Sequence, residues 1–348
     1  MASITTTARP TTLGPTFSFY VPSTERALIA RCADEADAVV VHGRNGPHVV
    51  AEMRSEGFTS VVLFDRATYE RRAKPIAPQA WFEAQAQAGA DRLLTPGRWV
   101  EWDKAGDALE RAVDAVHGEA ASVANVTLLL AVDSRWITDS AGLYRTLDVL
   151  QQVSEPVALV LSHRDDPLGA MAAVNNLLAL TSNVRDLTFL RSDHGAIGAV
   201  AAGAAHGSTG LIPRYRHFVP PTVTGGGRTQ DKTARVFVWD LMDWFTGFTI
   251  AGWGATGIDL NCPFDCCRGQ SLTRFLDERL SADDHNRTVL ARLARHVLDA
   301  EPRDRLGEFS RFCNKALDNY GPMGKLSDVT HPKPQLTQWA QFPLPQLR

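Results

Sequence analysis

The sequence contains no long hydrophobic run. Its longest apolar stretches, such as residues 126–132, have the length of a strand, whereas a membrane-spanning helix needs about 20 consecutive apolar residues. Residues 1–14 contain threonine and proline but lack the basic start and apolar core of a secretory signal. We therefore expect a cytoplasmic protein that has no membrane partner.

Charge of one sign is not in excess either. The 36 lysine and arginine residues and the 39 aspartate and glutamate residues leave a net charge of −3, so the overall balance gives little support for a nucleic-acid partner. Local basic clusters do permit one. They are Arg214, Arg216 and His217, and then Arg228, Lys232 and Arg235.

Cysteine is scarce and unevenly placed. Of the five cysteines, Cys262, Cys266 and Cys267 fall within six residues, and His285 follows Cys267 by eighteen positions. An odd number of cysteines without an export signal favours metal binding over disulfides. Three thiolates and one imidazole are ligands that a tetrahedral zinc site selects, and the spacing from Cys262 to Cys266 is typical of structural zinc. The sequence therefore predicts Zn²⁺ bound by these four residues.

Alternatives for this cluster stay open. The cysteines could instead be small buried hydrophobic residues, or one of the adjacent Cys266 and Cys267 could be a bystander. A catalytic zinc ion with an open fourth position is a further alternative. The cluster follows the last predicted barrel strand in the sequence and so lies outside the barrel, which favours a structural role.

The size and composition fit a globular α/β protein. With 348 residues, of which 44% are hydrophobic and 22% are charged, the chain can bury a large core. Apolar runs of strand length alternate with amphipathic or alanine-rich stretches. The runs are residues 16–21, 38–41, 60–64, 92–94, 126–132, 157–161, 187–190 and 207–211. Eight such units predict a (β/α)8 or TIM barrel, with an open doubly wound sheet as the alternative.

Polar and titratable residues follow nearly every predicted strand. Because the active sites of such barrels lie at the carboxyl ends of the strands, the set predicts a site at the barrel mouth. Any single aspartate there is more simply a helix cap or a turn residue. The candidates for catalysis are Asp65, Asp133 and Asp193, and those for substrate binding are His42, His163, Ser208, Arg214 and Arg216.

The pattern changes after residue 217. Prolines and glycines between 220 and 227 predict a flexible connection, and the aromatic-rich residues 233–248 predict a core-facing helix. Two further helices are expected at 286–298 and 305–317. We therefore divide the chain into a disordered N-terminus (1–14), the barrel (15–220), a linker with a zinc-binding helical module packed on the barrel (221–331) and a proline-rich tail (332–348).

The stretch from Cys262 to Asn286 resembles the zinc module of tRNA-guanine transglycosylases, above all the archaeal type. In that family a cysteine cluster is followed by a short helix and then by a His-Asn pair that opens a longer helix, a layout that residues 271–276 and His285-Asn286 match. The family's usual C-x-C-x2-C spacing is C-x3-C-C here. Residues 19–23, 39–42 and 62–67 resemble strands of relatives that insert deazaguanines into DNA.

The resemblance implies a barrel enzyme with zinc, a tRNA or DNA partner, a deazaguanine-type base as substrate, and a homodimer or a partner subunit. In the family an aspartate at the end of a strand acts as acid or base at the reacting base, and Asp65 matches it. A second aspartate attacks C1′ of the nucleotide and holds the sugar covalently until the new base displaces it. Gly207 stands at that second position here. Either Asp193 takes over, with Asp133 as another carboxylate at the mouth, or the standard exchange does not occur.

Three functions therefore stay open. The first is base exchange by a pentosyltransferase, in which Tyr69, Trp136 or Tyr215 stacks on the base and nearby arginines contact phosphates. The second is a catalytically inactive relative that binds nucleic acid or a partner protein, which Gly207 favours. The third is an unrelated barrel enzyme that acts on a small phosphorylated molecule, indicated by glycines after the seventh strand, although such glycines more often reflect close helix packing.

Overall fold

A computed structural model of the chain describes residues 15–342, except 72, 106, 122, 224–231, 259 and 327–330. The predicted disorder of residues 1–14, the glycines of the predicted linker and the last six residues of the predicted tail lie outside the described residues. No helix in the described part of the chain combines the length and the apolar character needed to cross a membrane.

Nine parallel strands form the barrel. They are β1 (Thr16–Pro22), β2 (Ala38–His42), β3 (Val61–Asp65), β4 (Leu93–Leu94), β5 (Arg98–Val100), β6 (Val126–Asp133), β7 (Val157–Ser162), β8 (Thr188–Ser192) and β9 (His206–Gly210). Their order is β3-β2-β1-β9-β8-β7-β6, with β4 and β5 both beside β6, so the sheet has eight positions in chain order. The Asp91 N–H donates to the Val62 carbonyl at 3.4 Å, which brings the two sheet edges together. The predicted (β/α)8 barrel is confirmed as a near-closed barrel, and all eight predicted strands are present.

Helices alternate with these strands and cover the outside. They are α1 (Arg26–Glu35), α2 (Gly46–Ser55), α3 (Pro78–Gln87), α4 (Asp107–Ala120), α5 (Arg135–Thr138), α6 (Ser140–Leu150), α7 (Ala173–Asn183), α8 (Gly195–Ala201) and α9 (Pro213–Arg216). Along β1, Phe17 and Phe19 belong to the core beneath the helices, whereas Tyr20 belongs to the separate core inside the barrel. Both faces of the strands are therefore buried, which explains why they read as continuous apolar runs.

The segment predicted as a helix at 233–248 is a hairpin, so that prediction is wrong. Strands β10 (Arg235–Val238) and β11 (Asp243–Thr246) pair antiparallel around a single 3-10 turn, and Met242 has a left-handed backbone with φ of 48°. Phe237 and its neighbours in β10 are buried on both faces. Such a strand lacks the alternation that would distinguish it from a buried helix, while its valine and aromatic content favours a strand.

The rest of the module is helical. It contains α10 (Gly247–Ala255), a 3-10 helix (Leu272–Leu276), α11 (Arg279–Leu298) and α12 (Arg305–Leu326). The predicted proline-rich tail contains a further helix, α13 (Pro334–Trp339), which packs on α12 through Trp339 and Phe309. Helix α11 begins before His285, so the His-Asn pair lies within the helix and does not open it. The module packs directly on α8: a Cβ at Gly198 would lie 2.6 Å from Phe309 and 2.9 Å from Trp339. This glycine therefore serves the close approach of α12 and α13 to the barrel.

Candidate metal centre and candidate active site

Cys262, Cys266, Cys267 and His285 converge in the module. Their ligand atoms all lie within 4.8 Å of one another. The Cys266 Sγ is 3.7 Å from the Sγ atoms of both Cys262 and Cys267, and the His285 Nδ1 is 3.2 Å from the Cys267 Sγ and 3.9 Å from the Cys266 Sγ. All five cysteines of the chain are free thiols, so no disulfide competes for this cluster.

These separations fit the donor set of a tetrahedral ion. Bond lengths of about 2.3 Å to sulfur and about 2.0 Å to nitrogen place tetrahedral S···S pairs about 3.8 Å apart and S···N pairs about 3.5 Å apart. Hydrogen bonding from Cys266, together with the adjacent His285, lowers the pKa of Cys262 to about 4, although its burial acts in the other direction. A thiolate is the form that binds metal. The four residues could hold a metal ion, and the set is consistent with zinc.

Two segments of backbone present the ligands. The cysteines lie on a loop closed by the Asn261–Ser271 bridge and by the Cys262 N–H, which donates to the Gln270 carbonyl at 3.3 Å. His285 comes from the second turn of α11. Its Nε2 lies 3.0 Å from the carbonyl oxygen of Phe237 in the hairpin, which orients Nδ1 toward the thiols.

Asn286 extends the same attachment to the hairpin. Its side chain accepts from the Phe237 N–H at 2.7 Å and donates to the Arg235 carbonyl at 2.6 Å. Because His285 and Asn286 are both buried, the cluster, α11 and the hairpin form one connected unit.

The barrel mouth contains a second group, centred on Asp65 at the end of β3. One carboxylate oxygen accepts from the hydroxyls of Tyr20 at 2.6 Å and Tyr69 at 2.5 Å, and the other accepts from the Ala67 N–H at 2.7 Å. Asp65 is 0% exposed. Burial, followed by the Asp65 charge, raises the pKa of both tyrosines, so they remain hydrogen-bond donors at neutral pH.

An ion-pair network adjoins Asp65. Glu70 lies 3.2 Å from the His42 Nε2, 2.8 Å from an Arg191 guanidinium nitrogen and 3.4 Å from Arg214. Burial alone would raise its pKa, but the His42 hydrogen bond and the Arg191 charge together lower the pKa of Glu70 to about 2. Glu70 is therefore ionised, and its side chain is 21% exposed.

Arg191 reaches the mouth because β8 is irregular there. The pairing of β8 with β9 shifts register between Phe189 and Ser192, and Arg191 has a φ of 56°, unusual for a residue other than glycine. The Ser208 Oγ accepts its N–H at 3.1 Å. Ser208, a predicted substrate-binding residue, is thus buried and supports Arg191.

The segment after β9 covers the mouth. The Phe218 ring lies 4.8 Å from the Tyr69 ring and 5.6 Å from the Trp99 ring, and the Tyr215 ring lies 5.2 Å from that of His42. The Phe218 carbonyl accepts the N–H of His163, which fastens the segment to the end of β7. We call residues 212–218 the strap, and with it in place Asp65 is closed off from solvent.

The remaining predicted mouth residues differ in their surroundings. The Asp133 carboxylate accepts two hydrogen bonds from the side chain of Arg135, both at 2.9 Å. His163 is half-buried, and its Nδ1 accepts from the Asp165 N–H. Arg214 is largely exposed at the mouth, whereas Arg216 is buried 3.6 Å from the Trp244 ring centre, and burial lowers its pKa to about 9.

Asp193 lies where the barrel meets the module. One Gln335 side-chain amide nitrogen lies 2.8 Å from Asp193 and 2.7 Å from Asp166, so this nitrogen bridges two carboxyl groups. Burial, then the charge of Asp193, raises the pKa of Asp166 to about 7. Burial alone would raise the pKa of Asp193, but the charges of His194 and Lys333 hold this pKa below its usual value. The partners of Asp193 therefore differ from those of Asp65, and the structure does not bring the two together.

The carboxyl pair predicts a pH dependence of stability. Because the pKa of Asp166 is raised from about 4 to about 7, the folded protein keeps a proton that the unfolded chain loses, so stability falls as pH rises across this window. The lowered pKa of Asp193 has the opposite effect on stability, because this carboxylate loses its contribution only as pH falls below the usual range of an aspartate. We expect Asp166→Asn to flatten this decline and to be more stable at pH 8 by about 1–3 kcal/mol. Urea unfolding from pH 4 to 8 measures it, and an unchanged slope contradicts the expectation.

Gly207, at the expected nucleophile position, faces away from the mouth. A Cβ there would lie 2.5 Å from the Ala196 carbonyl oxygen and 2.8 Å from Val200, both in α8. The glycine therefore allows α8 to approach β9, and an aspartate in this place would not point at a substrate in the mouth. Gly195 likewise lies against Leu168, so close packing accounts for Gly195 and Gly198 among the glycines that had indicated a phosphate site, whereas Gly203 has a φ of 110°.

Tyr20, Glu70 and Arg191 were not among the residues predicted for the site. Tyr20 alternates with outward-facing Phe19 and Val21, so its polar hydroxyl inside a strand was an available signal. Arg191 gave a similar signal, as a charge directly after an apolar run. Glu70 lies five residues beyond β3 in a loop, and nothing local marks it.

Two groups of residues with chemical capability are thus present in the described part of the chain. One is the four-ligand cluster of the module, and the other is the network of carboxylates, tyrosines and arginine at the barrel mouth. No protein-family model matches this chain, and no curated protein matches its sequence.

Proposed function

We propose that this protein is a base-exchanging transglycosylase that acts on a guanine-type base in tRNA or DNA, with its active site at the barrel mouth. The observation that carries the proposal is Asp65, a carboxyl group held by two tyrosine hydroxyls at the carboxyl end of a barrel strand. The mouth is lined by aromatic rings, which suit a planar base taken out of its stack. The resemblance of residues 62–67 to the transglycosylase strand supports the same assignment.

Base exchange needs a proton donor or acceptor and a nucleophile. When the glycosidic bond breaks, its electron pair leaves with the departing base, which then takes up a proton, and Asp65 is the group that we assign to this transfer. A carboxylate forms an ester at C1′, and the incoming base displaces it after losing its own proton. Glu70 suits the nucleophile better than Asp133 or Asp193, because its side chain is 21% exposed at the mouth, against 11% for Asp133 and 2% for Asp193.

The metal in this proposal is zinc, and its role is structural. Four protein ligands complete a tetrahedron and leave no open position for a substrate. Zn²⁺ would fix the cysteine loop to α11, and through Phe237 to the hairpin, beside the barrel. We propose that the module so braced forms part of the nucleic-acid-binding face.

The direct test is base exchange by the full-length, metal-loaded protein. It is incubated with radiolabelled guanine and either unfractionated tRNA or single- and double-stranded DNA, and the label in acid-precipitable nucleic acid is counted. We expect incorporation into one of these polymers and release of an equal amount of unlabelled base. Failure with every polymer contradicts the proposed activity.

A second candidate is a catalytically inactive protein that binds nucleic acid. Asp65 is completely buried beneath the strap, and Gly207 supplies no carboxylate at the expected nucleophile position. Both observations favour binding without turnover. A filter-binding assay that includes the salt dependence separates the two candidates, because salt-sensitive binding without exchange supports this one.

A further inference from the structure

A cavity opens beside the mouth, between the loops that follow β5 and β6. It has a volume of about 450 Å³, and the residues that line it are Trp102, Asp103, Lys104, Ala105, Trp136, Asp139, Ala141, Gly142 and Arg145. Cavities of this volume accept small ligands. Because it lies at the carboxyl ends of the strands, it is on the face where barrels of this type bind substrates. The chemistry around Asp65 does not use it.

The cavity offers an indole ring held in a fixed position. Trp102 packs edge-on against the buried Trp136, with ring centres 4.9 Å apart and planes at 73°. Its other support is Gly142 in the first turn of α6, where a Cβ would lie 2.7 Å from the indole. Trp102 is only half-buried, so part of its ring remains free to stack on a planar ligand.

Among the described charged residues that line the cavity, Lys104 is the one whose side chain makes no hydrogen bond or ion pair within the protein. Both carboxylates are engaged by the backbone, since Asp103 accepts from the Ala105 N–H at 2.9 Å and Asp139 accepts from the Gly142 N–H at 3.1 Å. Arg145 pairs with Glu110 at 2.9 Å. Lys104 is exposed at the rim, where its ammonium group can reach a phosphate next to a stacked ring.

We infer that this cavity binds one nucleotide of a single-stranded or unpaired nucleic-acid segment, with the base stacked on Trp102 and its phosphate at Lys104. The inference rests on the proposed function for the identity of the polymer, because the nucleotide would flank the base that enters the mouth. Aromatic stacking tolerates any base, so the cavity contributes affinity and position without selecting a sequence. RNA and DNA share this chemistry, and the experiment separates them.

The test uses the full-length, metal-loaded chain and short fluorescein-labelled single strands of RNA and DNA of equal sequence. Fluorescence anisotropy gives the dissociation constant at several salt concentrations for the wild type and for Trp102→Ala, Trp102→Phe and Lys104→Ala. Arg185→Ala is the matched charge control, because Arg185 is 78% exposed and precedes β8, at the end of the barrel opposite the mouth. Melting temperatures show which variants are folded.

We expect Trp102→Ala to weaken binding of at least one polymer about 5- to 100-fold and Trp102→Phe to restore most of the loss. Lys104→Ala should reduce the salt slope by about one unit, and Arg185→Ala should leave it unchanged. If Trp102→Ala does not fold, the dissociation constants and salt slopes of Trp102→Phe and Lys104→Ala test the inference. Equal binding by the wild type and by every folded cavity variant overturns the inference, as does a wild type that binds neither strand.

The outcome is separable from that of the proposed function. If Trp102→Ala and Lys104→Ala both keep wild-type binding and wild-type exchange activity, the inference about the cavity is refuted and the proposed enzyme activity stands. Binding that depends on Trp102, without incorporation of guanine, supports nucleotide binding in the cavity and refutes the proposed base exchange.

Discussion

Removal of the metal ion should unfold the module and lower the melting temperature by about 10 °C or more, because structural zinc contributes folding free energy directly. Without the ion, the buried or half-buried thiols of Cys262, Cys266 and Cys267 have only weak S–H hydrogen bonds to one another and to His285 in place of metal–ligand bonds. The cysteine loop would then lose its attachment to α11. Metal content by mass spectrometry and melting curves with and without a chelator measure this effect.

Single substitutions sharpen the test. Cys262→Ser should mimic chelation and abolish stoichiometric zinc. Cys313→Ser is the matched control, since Cys313 is equally buried but lies outside the cluster. Wild-type protein that contains less than about one metal ion per chain yet melts unchanged in chelator would refute the metal centre. So would equal destabilisation by the two substitutions.

Asp65→Asn should reduce the rate of base exchange about 10²- to 10⁴-fold, the usual contribution of a general acid or base. The substitution keeps the volume of the side chain and one oxygen acceptor. A tyrosine hydroxyl that now faces the amide can rotate to accept, so the fold is expected to survive. Single-turnover incorporation of labelled guanine, with circular dichroism as the check on folding, measures the effect.

Asp133→Asn is the matched control for this experiment. It is the same change at the end of another barrel strand, but its carboxylate is already paired with Arg135. We expect it to exchange within about threefold of the wild-type rate, an ordinary loss for a group outside proton transfer. If Asp133→Asn loses as much activity as Asp65→Asn, the assignment of Asp65 as the single acid or base is wrong.

The barrel was predictable because each parallel strand is buried on both faces and therefore stands out as an apolar run. The ligand cluster was predictable because three ligands are close in sequence. The hairpin was not, since Phe237 and Trp244 are apolar without a period that separates strand from helix. The surroundings of Asp65 were not predictable either, because Tyr20 and Arg191 come from distant strands that the barrel closure brings together.

The strap has two faces, and they contact different parts of the molecule. Tyr215 and Phe218 cover the mouth, while Arg216 between them lies against Trp244 of the hairpin. The Trp244 ring contacts Phe237, whose carbonyl holds the His285 imidazole. If a substrate lifted the strap, it would therefore pull on the hairpin to which His285 is attached, and an ion bound by the four-ligand cluster would set how firmly the entrance is shut.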